Sequence, residues 1–208
     1  MAPTIERRER HKAALREEIL NAARELFVRE GYENVTMRRV AEKIEYSPTT
    51  IYLHFKDKAD LLFALCQETF AKLLEEFAAL EREPTDPVTH LKRGLRTYID
   101  FGLKHPQHYL ASFVVPYEQA PPEESAMHLA EDSQGMKAFA YLRSGVAACI
   151  AAGRFRGVDV ETASKALWAA IHGITSLLIV HAHFPWGDRE QVIDTVVESM
   201  VAGLEARA

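Results

Sequence analysis

Apolar residues recur every three or four positions along most of the chain, which is the spacing of one face of an α-helix. The first long example comprises Leu15, Ile19, Ala22, Ala23, Leu26 and Phe27. No segment alternates apolar and polar residues over a length that would indicate a β-strand, and no internal repeat is found. The pattern therefore predicts an all-α protein of about nine helices.

Residues that favour helix ends divide the first part of the chain into four of these helices. Gly31 is typical of the left-handed cap that follows a helix. Thr36 and Ser47 favour the N-cap position, and Pro48 suits the first turn after it. Asp57 is a further N-cap candidate. After the first helix, the predicted helices run over 37–44, 48–55 and 58–82.

A polar break with two prolines, at 83–87, separates these four helices from five more and is a candidate domain boundary. Asp159 is a predicted N-cap, and Asp188 followed three residues later by Gln191 resembles a capping box. A Pro-rich loop is predicted at 116–124. The five helices are expected at 88–104, 106–115, 125–152, 160–183 and 189–207.

The composition is that of an ordinary soluble globular protein: of 208 residues, 48% are hydrophobic and 26% are charged. No apolar run reaches the ~18 residues of a membrane span, and residues 1–10 lack the apolar core of a secretory signal. Cys66 and Cys149 lie apart in apolar stretches, so we expect reduced core residues. These features predict a cytoplasmic protein with no disulfide, metal site or cofactor.

The net charge of −5 disfavours DNA binding when it is taken as a sum, but the charges are unevenly distributed. Residues 1–16 carry five basic and two acidic side chains, and residues 38–58 carry five basic and three acidic ones. The two segments therefore have net charges of +3 and +2, and the acidic excess lies in the C-terminal part. This distribution permits DNA binding near the N-terminus without proving it.

Helices 37–44 and 48–55 are joined by only three residues, as in a helix-turn-helix. Their apolar positions, which would pack against the first helix, are Val40, Ala41, Ile44, Ile51 and Phe55. The exposed side of the second helix would present Pro48, Thr49, Thr50, Tyr52 and His54 to a major groove. Phosphate contacts are expected from Arg38, Arg39 and Lys58 and from a flexible basic arm at 1–10. Because this second helix has no arginine, base selection is expected mainly through van der Waals contacts.

The segments at 31–41 (GYENVTMRRVA) and 46–58 (YSPTTIYLHFKDK) resemble the tetracycline-repressor (TetR) family. The resemblance implies a homodimer that binds a palindromic operator, usually as a repressor. The family's DNA-contacting positions match Thr36, Arg38, Ser47, Pro48, Thr49, Thr50, Tyr52, His54 and Lys58. The family usually has glycine where this chain has Glu45, which affects the expected backbone of the turn. The implied domains are a three-helix DNA-binding domain at 1–57 and a ligand-binding and dimerisation domain at 58–208.

The last two predicted helices are apolar on more than one side, which favours either central core helices or a four-helix bundle between two subunits. The dimer interpretation assigns the interface to Leu167, Ile171, Ile174, Leu178, Ile193, Val197, Met200 and Leu204. Trp168, His172 and Gly173 also resemble the "WHG" type of C-terminal effector domain found in some members. A close helix approach at Gly173 would fit either arrangement.

An aromatic set in the C-terminal helices is the candidate pocket for a small, largely apolar effector. Its members, with two polar residues of the same region, are Tyr98, Phe101, Tyr109, Phe113, Phe139, Trp168, His172 and Ser176. The alternative is that these side chains only fill the core. The sequence leaves open which of the aromatic rings would touch a ligand.

The histidines and the helical fold also raise alternatives to a ligand-responsive DNA-binding regulator. Histidines at 105, 108, 172, 181 and 183 suggest enzymatic or metal chemistry, but no catalytic motif accompanies them. The two histidines at 181 and 183 would point to different sides of a helix, a poor geometry for one metal ion. An enzyme is therefore not expected. A metal-sensing regulator and a helical adaptor that does not bind DNA remain as alternatives.

Overall fold

A computed structural model describes residues 2–82, 85–113 and 128–205, and within these ranges it contains nine α-helices. Only a single isolated β-bridge, between Phe155 and Glu205, accompanies them. The helices are α1 (Ala2–Glu30), α2 (Met37–Lys43), α3 (Pro48–Tyr52), α4 (Lys58–Leu80), α5 (Pro87–Lys104), α6 (Pro106–Phe113), α7 (Gln134–Ala151), α8 (Val160–Val180) and α9 (Arg189–Ala202). The predicted all-α fold is confirmed.

The chain forms two compact units, of which the first comprises residues 1–69 with 107–130. Its core contains the helix-turn-helix residues predicted to be inward-facing, and Val40, Ala41, Ile51 and Phe55 are at most 2% exposed. The apolar face of α1 is buried as well, from Leu15 to Phe27. Ile44 is only half-buried, because it lies beyond the end of α2.

The second unit comprises residues 70–106 with 131–208, and in it α5 packs against α7, α8 and α9. Three ion pairs join α5 to α9: Lys92 Nζ lies 2.5 Å from Glu198 Oε2, Arg96 Nη1 lies 2.9 Å from Asp194 Oδ1, and Arg96 also pairs with Glu190. The fully buried apolar residues include Leu95, Ile99, Val146, Leu167 and Ile193. These contacts form a helical core beneath a charged outer surface on α9.

The predicted helix starts are correct where a capping side chain determines them. In α2 the Arg39 N–H donates to Thr36 Oγ1 at 3.1 Å. In α3 the Thr50 N–H donates to Ser47 Oγ at 3.2 Å. Each cap thus satisfies an amide three residues further along, which the first turn of a helix leaves unpaired.

Two helices of the second unit begin in the same way. Asp159 Oδ1 accepts a hydrogen bond from the Thr162 N–H at 2.9 Å, at the start of α8. Asp188 Oδ1 accepts from the Gln191 N–H at 3.2 Å, at the start of α9. The predicted caps of both helices are therefore present.

The helix ends on either side of the helix-turn-helix also follow the expected chemistry. Gly31 has φ +79°, the left-handed conformation expected of a residue that ends α1. At the start of α4 the Asp60 N–H donates to Asp57 Oδ1 at 2.8 Å. Gly31 and Asp57 therefore separate the short helices α2 and α3 from the long helices α1 and α4.

Three predictions about the ends of helices are wrong. The flexible arm expected at 1–10 is helical from Ala2, because its Glu and Arg residues are good helix formers and α1 continues through them. Helix α3 ends at Tyr52 rather than at residue 55, and the chain turns at 53–54. Helix α7 begins at Gln134, after the Ser133 cap, and residues 129–133 before it are not helical, so the predicted helix 125–152 is interrupted there; residues 125–127 lie outside the described ranges.

The other helix ends differ by a few residues. Helix α8 ends at Val180 and α9 at Ala202, where 183 and 207 were predicted. Residues 114–115 of the predicted sixth helix, the Pro-rich loop at 116–124 and residues 206–207 lie outside the described ranges. The division between the two compact units falls within α4, after Thr69, whereas the predicted domain boundary at 57/58 lies at the start of that helix. That domain boundary stays a prediction.

Helix α8 is long and apolar enough, by length and composition, to cross a membrane, with a mean hydropathy of 1.4. Its inward side, however, forms part of the core of the second unit, where Leu167 is fully buried. Both cysteines are buried, as predicted, and burial raises the pKa of the Cys149 thiol to about 11. Within the described residues, no group of three or more His, Cys, Asp or Glu side chains could hold a metal ion.

Candidate nucleic-acid interface and effector region

The turn between α2 and α3 contains one residue, Glu45, in the left-handed backbone conformation. Glu45 has φ +60°, and it is the only non-glycine residue with positive φ in the described part of the chain. The next residue closes the turn, since the Tyr46 N–H donates to the carbonyl oxygen of Ala41 at 3.0 Å. The position where the family usually has glycine therefore adopts the backbone that glycine favours.

The outer side of α3 carries most of the predicted base-reading residues. Pro48, Thr49 and Tyr52 are exposed, and the Tyr52 side chain is among the most exposed large groups at 55%. Thr50 is half-buried, and its hydroxyl lies 2.9 Å from Ser47 Oγ. The helix therefore presents compact polar groups and one aromatic ring, which suit van der Waals contacts and hydrogen bonds to base edges.

The three cations predicted to contact phosphates differ in their exposure and in their partners within the chain. The Arg38 side chain is 80% exposed, and its Nε lies 3.0 Å from Glu42 Oε1. Arg39 is 47% exposed and pairs with Glu30 at 3.2 Å. Lys58 is held within the first unit, because its ammonium donates to the Tyr32 carbonyl oxygen at 2.8 Å and lies 4.0 Å from the centroid of the Tyr32 ring.

The residues just after α3 add a feature that the sequence interpretation missed. Leu53 is 77% exposed, the highest value among the large hydrophobic residues that are exposed in the described chain. The sequence contained a signal for the exposure of Leu53. Ile51 and Phe55 point inward, and a residue two positions from each lies on a different side of a helical turn. His54 is half-buried, and its pKa is lowered first by burial and then by the charges of Lys12 and Arg16.

Four of the predicted effector-region residues lie together in the second unit. The Tyr98 hydroxyl and Nδ1 of His172 share a hydrogen bond of 3.2 Å. The Trp168 ring lies 5.8 Å from the His172 ring and 6.1 Å from the Phe139 ring, measured between centroids. Burial lowers the pKa of His172. The cluster therefore combines a polar pair, the buried Tyr98 and the half-buried His172, with two aromatic rings.

The remaining predicted pocket residues do not all join this cluster. Phe101 is buried and its ring lies 5.0 Å from that of His105. Tyr109 and Phe113 contact each other at 4.8 Å on α6, which belongs to the first unit apart from its initial residue. Ser176 is half-buried on α8.

Comparison with known proteins identifies the family. Residues 19–65 match the family described as bacterial regulatory proteins, tetR family. Residues 91–204, which are more than half of the chain, match the family described as the tetracyclin repressor-like C-terminal domain. The chain belongs to the TetR family. This TetR-family protein is accordingly a DNA-binding transcriptional regulator and not an enzyme.

Individual relatives resemble the TetR-family protein over part of its length. It is 43% identical over 63 residues to the HTH-type transcriptional repressor AcnR of Corynebacterium diphtheriae, which covers 30% of this chain and 33% of that protein. It is 36% identical over 88 residues to an HTH-type transcriptional regulator of Staphylococcus aureus, covering 42% and 48%. The matched region thus spans between about a third and a half of these relatives.

Solved structures share the fold along nearly the whole chain. The transcriptional regulator FadR from Bacillus subtilis in complex with stearoyl-CoA has a TM-score of 0.76 at 20% identity, covering 90% of this chain and 98% of that one. A tetR-family regulatory protein from Rhodococcus RHA1 has a TM-score of 0.74 at 21% identity, covering 93% and 98%. At these identities the comparison establishes the fold alone.

The predicted dimer interface of the TetR-family protein requires correction. Six of its eight residues are at most 7% exposed within the single chain, and so they form its own core: Leu167, Ile171, Ile174, Leu178, Ile193 and Val197. Met200 and Leu204 are half-buried. The exposed apolar side chains of this region are instead Trp168, Leu177, Val180 and Phe184, at 41–58%.

Proposed function

We propose that the protein is a cytoplasmic, ligand-responsive repressor that binds a palindromic operator as a homodimer and is released by a small, largely apolar molecule. This proposal rests on the exposed outer side of α3, where compact polar groups and Tyr52 are accessible to solvent. A helix presented in this way can enter a major groove. Arg38, exposed at the start of α2, supplies a cation at the edge of the same surface.

The DNA-binding part is tested by selecting sites from a randomised duplex library with the full-length protein. Arg38→Ala and Thr49→Ala are then measured on the selected site by titration and footprinting. We expect each variant to lower affinity by about fivefold or more, and Thr49→Ala also to relax base preference. Arg82→Ala and Thr85→Ala, exposed residues outside α2 and α3, are matched controls. Unchanged affinity and preference in both site variants would contradict the assignment.

The homodimer is supported by the uncovered side of α8. From Ala166 to Val180 this helix contains no Asp, Glu, Lys or Arg, yet Leu177 and Val180 are more than 40% exposed, and at about 100° per residue they lie on the same side of the helix as Gly173. A Cβ added at Gly173 would meet no atom within 4 Å, so the helix surface is open there to a close neighbour. An uncharged apolar surface of this kind is typical of subunit interfaces, and a twofold pairing would present two reading helices to a palindrome.

Sedimentation analysis of the full-length protein tests this surface. We expect a wild-type dimer and a monomer for Leu177→Glu, because a charge would be buried without a partner. Leu129→Glu is the matched control, since Leu129 is 71% exposed in the first unit. A monomeric wild type, or a Leu177→Glu variant that remains dimeric, would contradict the proposed interface.

The effector part rests on the cluster of Tyr98, Phe139, Trp168 and His172, which offers aromatic surface beside one polar pair. Stearoyl-CoA, the molecule bound in the Bacillus subtilis FadR structure, is a suitable first probe. A ligand releases DNA only if it binds the DNA-free arrangement more tightly. We expect release of the selected DNA and a raised Tm, both weakened in Tyr98→Phe. If neither stearoyl-CoA nor a panel of smaller apolar molecules changes Tm or DNA binding, the apolar effector is wrong.

A further inference from the structure

The N-terminal part of α1 has no buried face in the described structure. Every residue from Glu6 to Ala14 is exposed, and from Glu6 onward Leu15 is the first buried residue of the helix. A helix segment of this kind gains no stability from packing within its own chain. Its side chains are therefore available to a partner, and their charges indicate what that partner is.

Basic residues lie on one side of this segment at intervals of four. At about 100° per residue, Arg8, Lys12 and Arg16 fall within about 80° of one another and span about 12 Å along the axis. We call these three residues the basic strip. None of the described salt bridges uses them, so no carboxylate of the described chain neutralises them in a direct pair.

The basic strip is continuous with the surface that carries α3. The Arg16 guanidinium carbon lies 5.0 Å from the centroid of the Phe55 ring, and Phe55 follows α3 by three residues. The charges of Lys12 and Arg16 also act on His54, which adjoins the exposed Leu53. Two of the three cations therefore lie beside the end of the candidate reading surface.

We propose that the basic strip binds the phosphate backbone of duplex DNA beyond the bases that α3 contacts, as a rigid helical extension of the DNA-binding surface. The inference rests on the proposed DNA-binding function. Each strand of duplex DNA carries one phosphate for about every 3.4 Å of duplex axis, so a row of cations about 12 Å long can lie against more than one phosphate of the same strand. Charge complementarity and continuity with α3 favour DNA as the occupant.

The other side of the same helix segment provides a matched control. Arg7 and Arg10 are also exposed, but they lie more than about 100° away from Lys12 around the axis. Arg8→Gln/Lys12→Gln and Arg7→Gln/Arg10→Gln remove the same charge from opposite sides. Arg16 is left unchanged because it contacts Phe55.

Binding of both double variants to the selected operator is measured across a range of salt concentrations. We expect the strip variant, Arg8→Gln/Lys12→Gln, to lose about tenfold or more in affinity at low salt. We also expect it to reduce the slope of log K against log [salt] by about 1.8 per subunit, or about 0.9 for each lost phosphate contact. Hydroxyl-radical footprinting should show that the flanking protection is lost and the central protection is retained. Equal losses in both variants, or no loss in the strip variant, would overturn the proposal.

Two further substitutions, combined in one variant, test whether the segment acts as a helix. Ala13→Gly/Ala14→Gly weakens α1 without changing charge, and we expect it to lose flanking protection. Full protection in this variant would overturn the rigid helical extension. If the wild type selects no DNA, the proposed function itself fails, whereas selective binding that is insensitive to Arg8 and Lys12 refutes the basic strip alone.

Discussion

Arg24 on α1 and Glu68 on α4 form a salt bridge of 2.9 Å that is largely withdrawn from solvent. Their side chains are 7% and 17% exposed, and Arg24 Nη1 also donates to Asn21 Oδ1 at 2.6 Å. Burial lowers the pKa of Arg24, and the carboxylate of Glu68 opposes that effect. Removing two charges from water costs much of the free energy that their attraction supplies. The main effect of the buried pair is therefore to fix one geometry between α1 and α4.

Removal of one partner should therefore destabilise the first unit strongly. We expect Arg24→Met and Glu68→Gln each to lower the free energy of unfolding by about 3 kcal/mol, because a buried charge loses its partner. The double variant Arg24→Met/Glu68→Leu should recover much of the loss. Urea denaturation measures all three. Arg29→Met, which breaks an exposed pair, is the control, and an equal effect of Arg24→Met and Arg29→Met would contradict this account.

Glu45 should be less favourable than glycine at its own position. Its φ of +60° costs a residue with a Cβ about 1 kcal/mol, which glycine does not lose. We expect Glu45→Gly to raise the free energy of unfolding by up to about 1 kcal/mol and Glu45→Val to lower it. Thermal unfolding of the two variants beside the wild type decides the sign. A destabilised Glu45→Gly variant would mean that the Glu45 side chain makes a contact that outweighs the backbone cost.

Local chemistry explains which parts of the fold the sequence could predict. Thr36, Ser47 and Asp57 act through hydrogen bonds to amides three residues away, so the start of each short helix and of α4 could be located from the sequence. The inward positions Val40 and Ile51 followed from spacing alone, and both are fully buried.

Long-range packing explains what the sequence could not predict. Helix α8 is apolar on several sides, so its pattern does not say that Leu167 faces the chain's own core while Leu177 remains exposed. Tyr109 and Tyr98 look equivalent as aromatic residues, but they belong to different compact units. The burial of Arg24 depends on Glu68, which lies 44 positions away, and no local pattern announces such a pair.

Leu53 is expected to contribute to DNA binding rather than to stability. It is 77% exposed and directly follows the last residue of α3. An apolar side chain that is covered by DNA, for example at a thymine methyl group, contributes about 1 kcal/mol, or roughly fivefold in affinity. Leu53→Ala should therefore weaken binding to the selected site and leave Tm unchanged. Leu129→Ala is the control, and a lower Tm without weaker binding would refute the role of Leu53.

The half-buried histidine at the Tyr98 hydrogen bond predicts how stability changes with pH. Burial lowers the pKa of His172 in the folded chain, so between that value and about 6.5 the unfolded chain binds more protons. The contribution of His172 to stability is thus fully present above about pH 6.5 and is lost as the pH falls through this window. We expect the free energy of unfolding to decrease from about pH 7 towards about pH 5, and to decrease less in His172→Gln.

Burial also lowers the pKa values of His54, His105 and His128, so part of the dependence should remain in that variant. Urea denaturation at several pH values, with the exposed His181→Gln as control, separates the contributions. A His172→Gln variant with the same pH dependence of stability as the wild type would show that the pKa of His172 is the same in the folded and the unfolded chain. It would then also argue against a low-dielectric environment at the Tyr98–His172 pair, on which the proposed effector region depends.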